Sequence, residues 1–169
     1  MANNCMFTIR AVGKTKESVE KFLDVLQYKN PEMCLYRVFS ADETAEGAQQ
    51  DGGLWMLDFF GDVAWSCNMW LHATDTGRPY AGSKLAVLPE ICKALEIGVE
   101  IWAEEPGVGF EQHILVNHEG EIVFDDSEDM SYVQDEETGD FKENPDGSWV
   151  KDGGFEDYME FAFPAEIFG

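Results

Sequence analysis

The stretch FDDSEDMSYVQDEETGDF, from Phe124 to Phe141, carries Asp125, Asp126, Glu128, Asp129, Asp135, Glu136, Glu137 and Asp140 and no basic residue. Carboxylates gathered in this way can hold a calcium ion, form a solvated surface, or meet a basic partner. With Asp125 as the first position of an EF-hand loop, Ser127, Asp129 and Glu136 fall at the third, fifth and twelfth positions, but Met130 stands where the sixth position requires glycine. The residues before Asp125 also read as a strand, where an EF-hand has a helix. A dense carboxylate cluster attracts divalent ions weakly in any case, so the solvated surface and the basic partner remain the readings to weigh.

The other residues able to do chemistry are sparse. His72, His113 and His118 are the only histidines. His113 and His118 flank an expected strand and turn, so they project from opposite faces or separate ends and read as surface groups. Cys5, Cys34, Cys67 and Cys92 form no CxxC pair and each adjoins apolar residues. That is the pattern of buried free thiols in a reducing cytosol rather than of a metal knuckle or a disulfide scaffold. EEPGVGF has two glycines but neither the third glycine of GxGxxG nor the Lys-Ser/Thr of a phosphate loop, and its acids repel phosphate, so it reads as a turn. Glu104 and Glu105 are candidates for an acid–base pair, yet neighbours on a strand face opposite ways. Trp65, Trp70 and Trp102 read as core, since a base-stacking platform needs basic company. The sequence therefore assigns no catalytic residue, no metal and no cofactor; an enzyme using carboxylates stays as an alternative.

Charge limits the partners. The chain has 169 residues with 34 acids against 11 bases, a net charge of -23, where a small domain ordinarily carries a magnitude of roughly 2 to 8. Such a surface is repelled by nucleic acid and anionic membranes and attracted to basic proteins. A basic nucleic-acid-binding protein is thus the expected partner. No run approaches the length of a membrane span, and MANNCMFTIR lacks a basic region followed by an apolar one, so a cytoplasmic location is expected.

Hydrophobic residues make up 44% of the chain and aromatics 13%, enough for one core. In CMFTIRA, Cys5, Phe7, Ile9 and Ala11 alternate with Met6, Thr8 and Arg10, which predicts a strand with one face buried. Val19, Phe22, Leu23 and Leu26 predict a helix over 15–28, capped by Thr15. MCLYRVFSA predicts a second strand with Cys34, Tyr36 and Val38 on one face, and Asp42–Gly53 a loop. LWMLDFFGDVAWSCNMWL is too long for one ordinary strand, so a bend is expected at Gly61-Asp62. HATDTGRPYAGS predicts another loop. Leu85, Leu88, Ile91, Cys92 and Leu95 predict a helix over 83–96, with Ser83 as its cap and Gly98 beyond its end. VEIWAEE and EQHILVNHEGEIVFDD predict the last strands, the latter pair turning at NHEG. Stripped of loops this is an α+β order, the ferredoxin-like pattern of an antiparallel sheet with two helices on one face, and it sets a domain at 1–125.

Residues 126–169 form an acidic, aromatic-rich extension. From 119 onward there are 17 acids against two bases. Yet Tyr132, Phe141, Trp149, Phe155, Tyr158, Phe161, Phe163 and Phe168 lie there too, and disordered acidic tails lack aromatics. The extension is expected to pack on the domain, with DFKENPDGSWVK as a hairpin turning at Pro-Asp-Gly and Phe141 and Trp149 fixing it to the body.

The opening MANNCMFTIRAVG, the segment FFGDVAWS, the helix LAVLPEICKAL and AEEPGVGFEQHILVNHEGEIV together resemble the YubB-type ferredoxin-like family of phage and plasmid proteins. The likeness rests on Cys5, Ala64-Trp65-Ser66 and Glu105-Pro106-Gly107-Val108-Gly109-Phe110 and covers roughly residues 1–125. Cys67-Asn68 stands where that family often has prolines, and Gly53-Leu54-Trp55 is all that answers its Trp-Gly-Thr-Lys-Trp element. The resemblance implies an origin on mobile elements and brings no catalytic residue. Joined to the carboxylate array, it leads to the expectation of an inhibitor of a host defence nuclease, of anti-CRISPR or anti-restriction type, whose acids occupy a groove built for nucleic acid; the alternative is an interaction module without mimicry.

Overall fold

The computed structural model describes residues 3–72 and 75–169. Its elements are β1 (Asn4–Gly13), α1 (Lys16–Leu26), β2 (Met33–Cys34), β3 (Val38–Glu43), β4 (Gln49–Asp51), β5 (Leu54–Ala64), β6 (Pro79–Tyr80), β7 (Ser83–Leu85), α2 (Leu88–Leu95), β8 (Ile97–Glu105), β9 (Phe110–Val116), β10 (Ile122–Tyr132), β11 (Lys151–Gly153) and α3 (Pro164–Phe168). The protein is α+β. An eight-stranded sheet runs β11-β10-β9-β8-β1-β5-β3, with β4 beside β3 on the outer edge of β5, and all of its pairings are antiparallel. A small sheet, β2-β7-β6, stands apart.

The apolar alternation of β1 works as expected. Cys5, Phe7, Ile9 and Ala11 are buried with Val19, Phe22 and Leu26 of α1 and Leu88, Ile91 and Cys92 of α2, so both helices cover one face of the sheet. Thr15 caps α1, its Oγ1 accepting from Ser18 N at 3.2 Å.

Five local expectations need correction. The second helix begins at Leu88, not at Ser83. Pro89 falls in the first turn of the observed helix, where its missing N–H costs nothing, and would break a helix that carried it in its interior. Ser83 lies instead in β7, its hydroxyl donating to Asn30 O, and Gly98 lies inside β8. The strand expected over 33–41 is two strands, parted at Arg37, whose φ is 54°. β5 is not interrupted at Gly61-Asp62. It continues unbroken to Ala64, with Trp65 beyond it at φ 68°, and Gly61 is there because the backbone of Ser40 passes where a Cβ would sit. The segment 42–53 contains a hairpin, β4 to β5, turning on Gly52-Gly53, both left-handed at φ 57° and 83°. The loop expected over 72–83 holds the β6–β7 pairing, with Ala73 and Thr74 outside the described residues.

The opposite face of the sheet is covered by the C-terminal segment. Val12 and Leu115 pack against Ile167 of α3 there. Trp102 meets Phe155 and Tyr158 edge-on at 5.4 and 5.6 Å. β10 is one strand across the expected boundary at 125/126. The extension therefore shares the sheet, and the segment 155–168 serves as the second face's cover. Trp70 and Trp102 are core, whereas Trp65 is 47% exposed with the Arg37 guanidinium 4.6 Å above it. Among the described residues no helix is long and apolar enough to cross a membrane.

Candidate functional site

The eight carboxylates fall into two groups. Asp125, Asp126, Glu128 and Asp129 lie on β10, and all are exposed. β9 pairs with β10 along Ile122–Asp129 on one side. On the other side β11 pairs with Met130–Tyr132 and Gly154 N donates to Asp129 O at 2.8 Å, so among the described residues no strand covers the outer edge of β10 before Asp129. Register places Asp126 opposite His113 and Glu128 opposite Glu111, on the covered face, while Asp125 opposite Ile114 and Asp129 opposite Phe110 stand on the helix face. The four acids thus fan out from both sides of that strand edge. Asp125 accepts from Asn68 Nδ2 at 2.7 Å.

Asp135, Glu136, Glu137 and Asp140 belong to the turn that follows. Asp135 Oδ1 accepts from Glu137 N at 2.8 Å and Thr138 N at 3.1 Å, and these two amides, that of Thr138 foremost, hold its carboxyl below the ordinary 3.8. The chain then returns through Asn144–Ser148, where Asn144 N donates to Ser148 O at 2.7 Å and Gly147 takes φ 86°, the hairpin that Pro-Asp-Gly predicts. Phe141 and Trp149 meet each other at 4.7 Å and Tyr132 at 6.0 and 5.2 Å. They tie the hairpin to β10 while staying 40% and 47% exposed. With Val108 they border a groove of about 560 Å³ beside the acidic turn.

The other candidate groups have structural partners. Glu105 folds back to accept from Gly107 N at 3.1 Å and from Val108 N, which makes EEPGVGF a carboxylate-capped turn. Glu104, on the opposite face, accepts from Tyr132 Oη at 2.9 Å. Burial, then that bond, pushes the Tyr132 hydroxyl up to about 12, so it remains a donor. His113 stacks on Trp102 at 3.5 Å and 7°, and its Nε2 meets Glu100 Oε1 at 2.7 Å. His118 stacks on Phe168 at 4.1 Å. All four cysteines are buried and free. Burial raises the Cys34, Cys67 and Cys92 thiols, Cys5 adding to the effect at Cys67, which removes them as ready nucleophiles. Among the described residues no three His, Cys, Asp or Glu side chains are placed to hold a metal ion.

Sequence reasoning missed two buried carboxylates that fasten the cover. Glu100 is 1% exposed and Glu111 fully buried. Glu100 Oε2 accepts from Ala162 N at 2.9 Å. Glu111 accepts from Lys151 Nζ at 2.5 Å and Phe155 N at 2.7 Å. The only available signal was their place among apolar strand residues, in GVEIW and GFEQHILV.

No family model, curated protein or solved structure matches the chain.

Proposed function

We propose that the protein acts by binding, its β10 edge and the turn after it presenting carboxylates to the basic groove of a nucleic-acid-binding protein. One observation carries this: Asp125, Asp126, Glu128 and Asp129 stand on an ordered strand whose outer edge, among the described residues, no other strand covers before Asp129. At a rise of about 3.4 Å per residue, the span from Asp125 to Asp129 is roughly 14 Å and carries four charges. That is close to the one charge per about 3.4 Å of a single DNA strand. Acids also guard strand edges against mispairing, but a guard needs no second group such as Asp135, Glu136, Glu137 and Asp140 beyond the strand's end.

The most specific form of the proposal is an inhibitor of a host defence nuclease, of anti-CRISPR or anti-restriction type, working in the cytoplasm. The resemblance to YubB-type mobile-element proteins supports it, as do four free thiols. We read β8-β1-β5-β3 with α1 and α2 as a ferredoxin-like core and β9–β11 as an addition to it; the antiparallel order and the shared helix face support that reading. The half-exposed Phe141 and Trp149 favour a second reading, an interaction module whose aromatic groove matters more than its charge.

Affinity capture from a host lysate followed by nucleic-acid competition tests the proposal. A mimic's partner releases its DNA or RNA as the protein is added, binds less well in high salt, and loses affinity when Asp129, Glu136 and Glu137 are all changed to Lys. A partner that binds the triple variant equally well, or away from its nucleic-acid groove, refutes mimicry.

A further inference from the structure

The C-terminal cover stops short of one corner of the sheet. There Glu104 of β8, Met6 of β1, Asp62 of β5 and Ser40 of β3 are direct neighbours in one row across four strands. Phe60 stands in the next row, and Met159 of the cover forms a wall. Together they border a groove of about 470 Å³. Its apolar side chains are open to water: Met6 is 43% exposed, Phe60 49% and Met159 43%. Met159 is also held at φ 72°, a left-handed conformation that a long side chain rarely adopts and that tends to mark functional sites.

The two acids of the row are two strands apart, about 10 Å, with Met6 between them. Asp62 accepts from Ser40 Oγ at 3.0 Å and Glu104 from Tyr132 Oη at 2.9 Å, which leaves acceptor positions free on both. Among the described residues no Lys or Arg borders the groove. A cation above Met6 would lie about 5 Å from each carboxylate, within the range at which opposite charges attract strongly at a protein surface.

We propose that this corner is a docking site for a protein partner that presents an arginine or lysine flanked by aliphatic side chains. The cation lies over Met6 between Glu104 and Asp62, and the aliphatic groups lie on Phe60 and Met159. A small-molecule pocket encloses most of its ligand; this floor is half open, so the occupant brings its own cover, as a protein surface does. Methionine at the rim suits such contacts, because its unbranched chain adapts to the partner. A second copy of this chain is disfavoured by its own charge of -23. The site does not depend on the β10 carboxylates, which stand two strands beyond β8.

The test uses the full chain and two fluorescein-labelled peptides in a Gly-Ser background, one with a central Leu-Arg-Leu and the other with Ser-Arg-Ser, read by anisotropy in low and high salt. The Leu-Arg-Leu peptide is expected to bind about tenfold more tightly, to keep that preference in high salt, and to lose about tenfold on Phe60→Ser and about threefold on Glu104→Gln. Glu104→Gln keeps an acceptor for Tyr132, so its effect reads charge rather than folding. Reversal of Asp129, Glu136 and Glu137 leaves the preference for leucine intact, so this site and the β10 surface fail or stand separately. Equal binding of the two peptides, including no binding of either, overturns the proposal. So does affinity unchanged by both groove variants, or sedimentation showing a dimer that Phe60→Ser dissociates.

Discussion

Gly98 lies in β8 beneath α3, and replacing it with alanine tests whether the cover is seated as described. A Cβ at Gly98 would overlap Ile167 O and come within 2.6 Å of Ile167 C and 2.9 Å of Phe168 Cα. Backbone atoms cannot rotate away, so α3 must lift. Lifting it exposes Ile167, which is fully buried, and separates Phe168 from His118, stacked at 4.1 Å. The isoleucine contributes about 1.5–3 kcal/mol and the aromatic contact about 0.5–1.5 kcal/mol, for a loss of roughly 2–4 kcal/mol. Alanine's smaller unfolded-state entropy offsets about 0.4–1 kcal/mol of it. The net loss is then about 1–3.6 kcal/mol; for a chain of this length each kcal/mol moves Tm by about 2–4 °C, so Gly98→Ala should melt roughly 2–14 °C below the parent. Differential scanning calorimetry measures the shift, and hydrogen exchange over residues 155–168 reports whether the cover has loosened. Ile167→Ala removes the same contact by another route, so the double variant should cost clearly less than the two single losses added together. A Gly98→Ala protein that melts within about 1 °C of the parent, or strict additivity in the cycle, would falsify this account of the second face.

Further outcomes follow from the same geometry. Glu111→Ala leaves Lys151 Nζ and Phe155 N without their acceptor and should cost about 3–5 kcal/mol in urea unfolding; a loss below about 1 kcal/mol would mean that water reaches the site. Asp135 has a folded pKa below its ordinary 3.8, so the order it lends to the 135–140 turn is present above that value and is lost as pH falls through the lower, folded one. The Thr138 amide NMR shift should therefore titrate with a midpoint under 3.8, and a midpoint at or above it contradicts the bonding described. Elemental analysis after dialysis against chelator should find no stoichiometric zinc or iron; either metal at one per chain would overturn the assignment of the acids to a partner surface.

The parts of the fold legible in the sequence were those governed by local period and capping. β1 alternates cleanly, and Thr15 with Val19, Phe22 and Leu26 gives α1 nearly to the residue. What failed were positions where tertiary contacts override local preference. Gly61 signalled a bend but serves a close backbone crossing. Ser83 looked like a cap and became a strand residue because β2 lies alongside β7. Pro89 and Gly52-Gly53 carried usable signals that the apolar period and the polar composition outweighed. At the candidate site, the carboxylates and the hairpin at Pro-Asp-Gly could be read from residue types alone, whereas the turn over 135–140 rests on Asp135 bonding the Glu137 and Thr138 amides. The carboxylates' division between the two faces of β10 could not be read, because it depends on pairing with β9. Glu100 and Glu111 were invisible for the same reason: their partners lie 62 and 44 residues away in the chain.

Those long separations also order events in time. The cover leaves the ribosome after every strand it protects, and at about 5–20 residues per second the interval between the end of β8 and Ala162 is roughly 3–12 s. Throughout it Trp102 and its neighbours have no lid. Glu100, Glu104 and Glu111 stand on that same face, and as free carboxylates they keep it hydrated and repel other nascent chains. Two of the groups that later clamp the finished molecule, Glu100 and Glu111, thus act first as solubilisers of the unfinished one. Replacing them with apolar residues of equal size, even where the folded protein tolerates the change, should raise the demand for chaperones during synthesis.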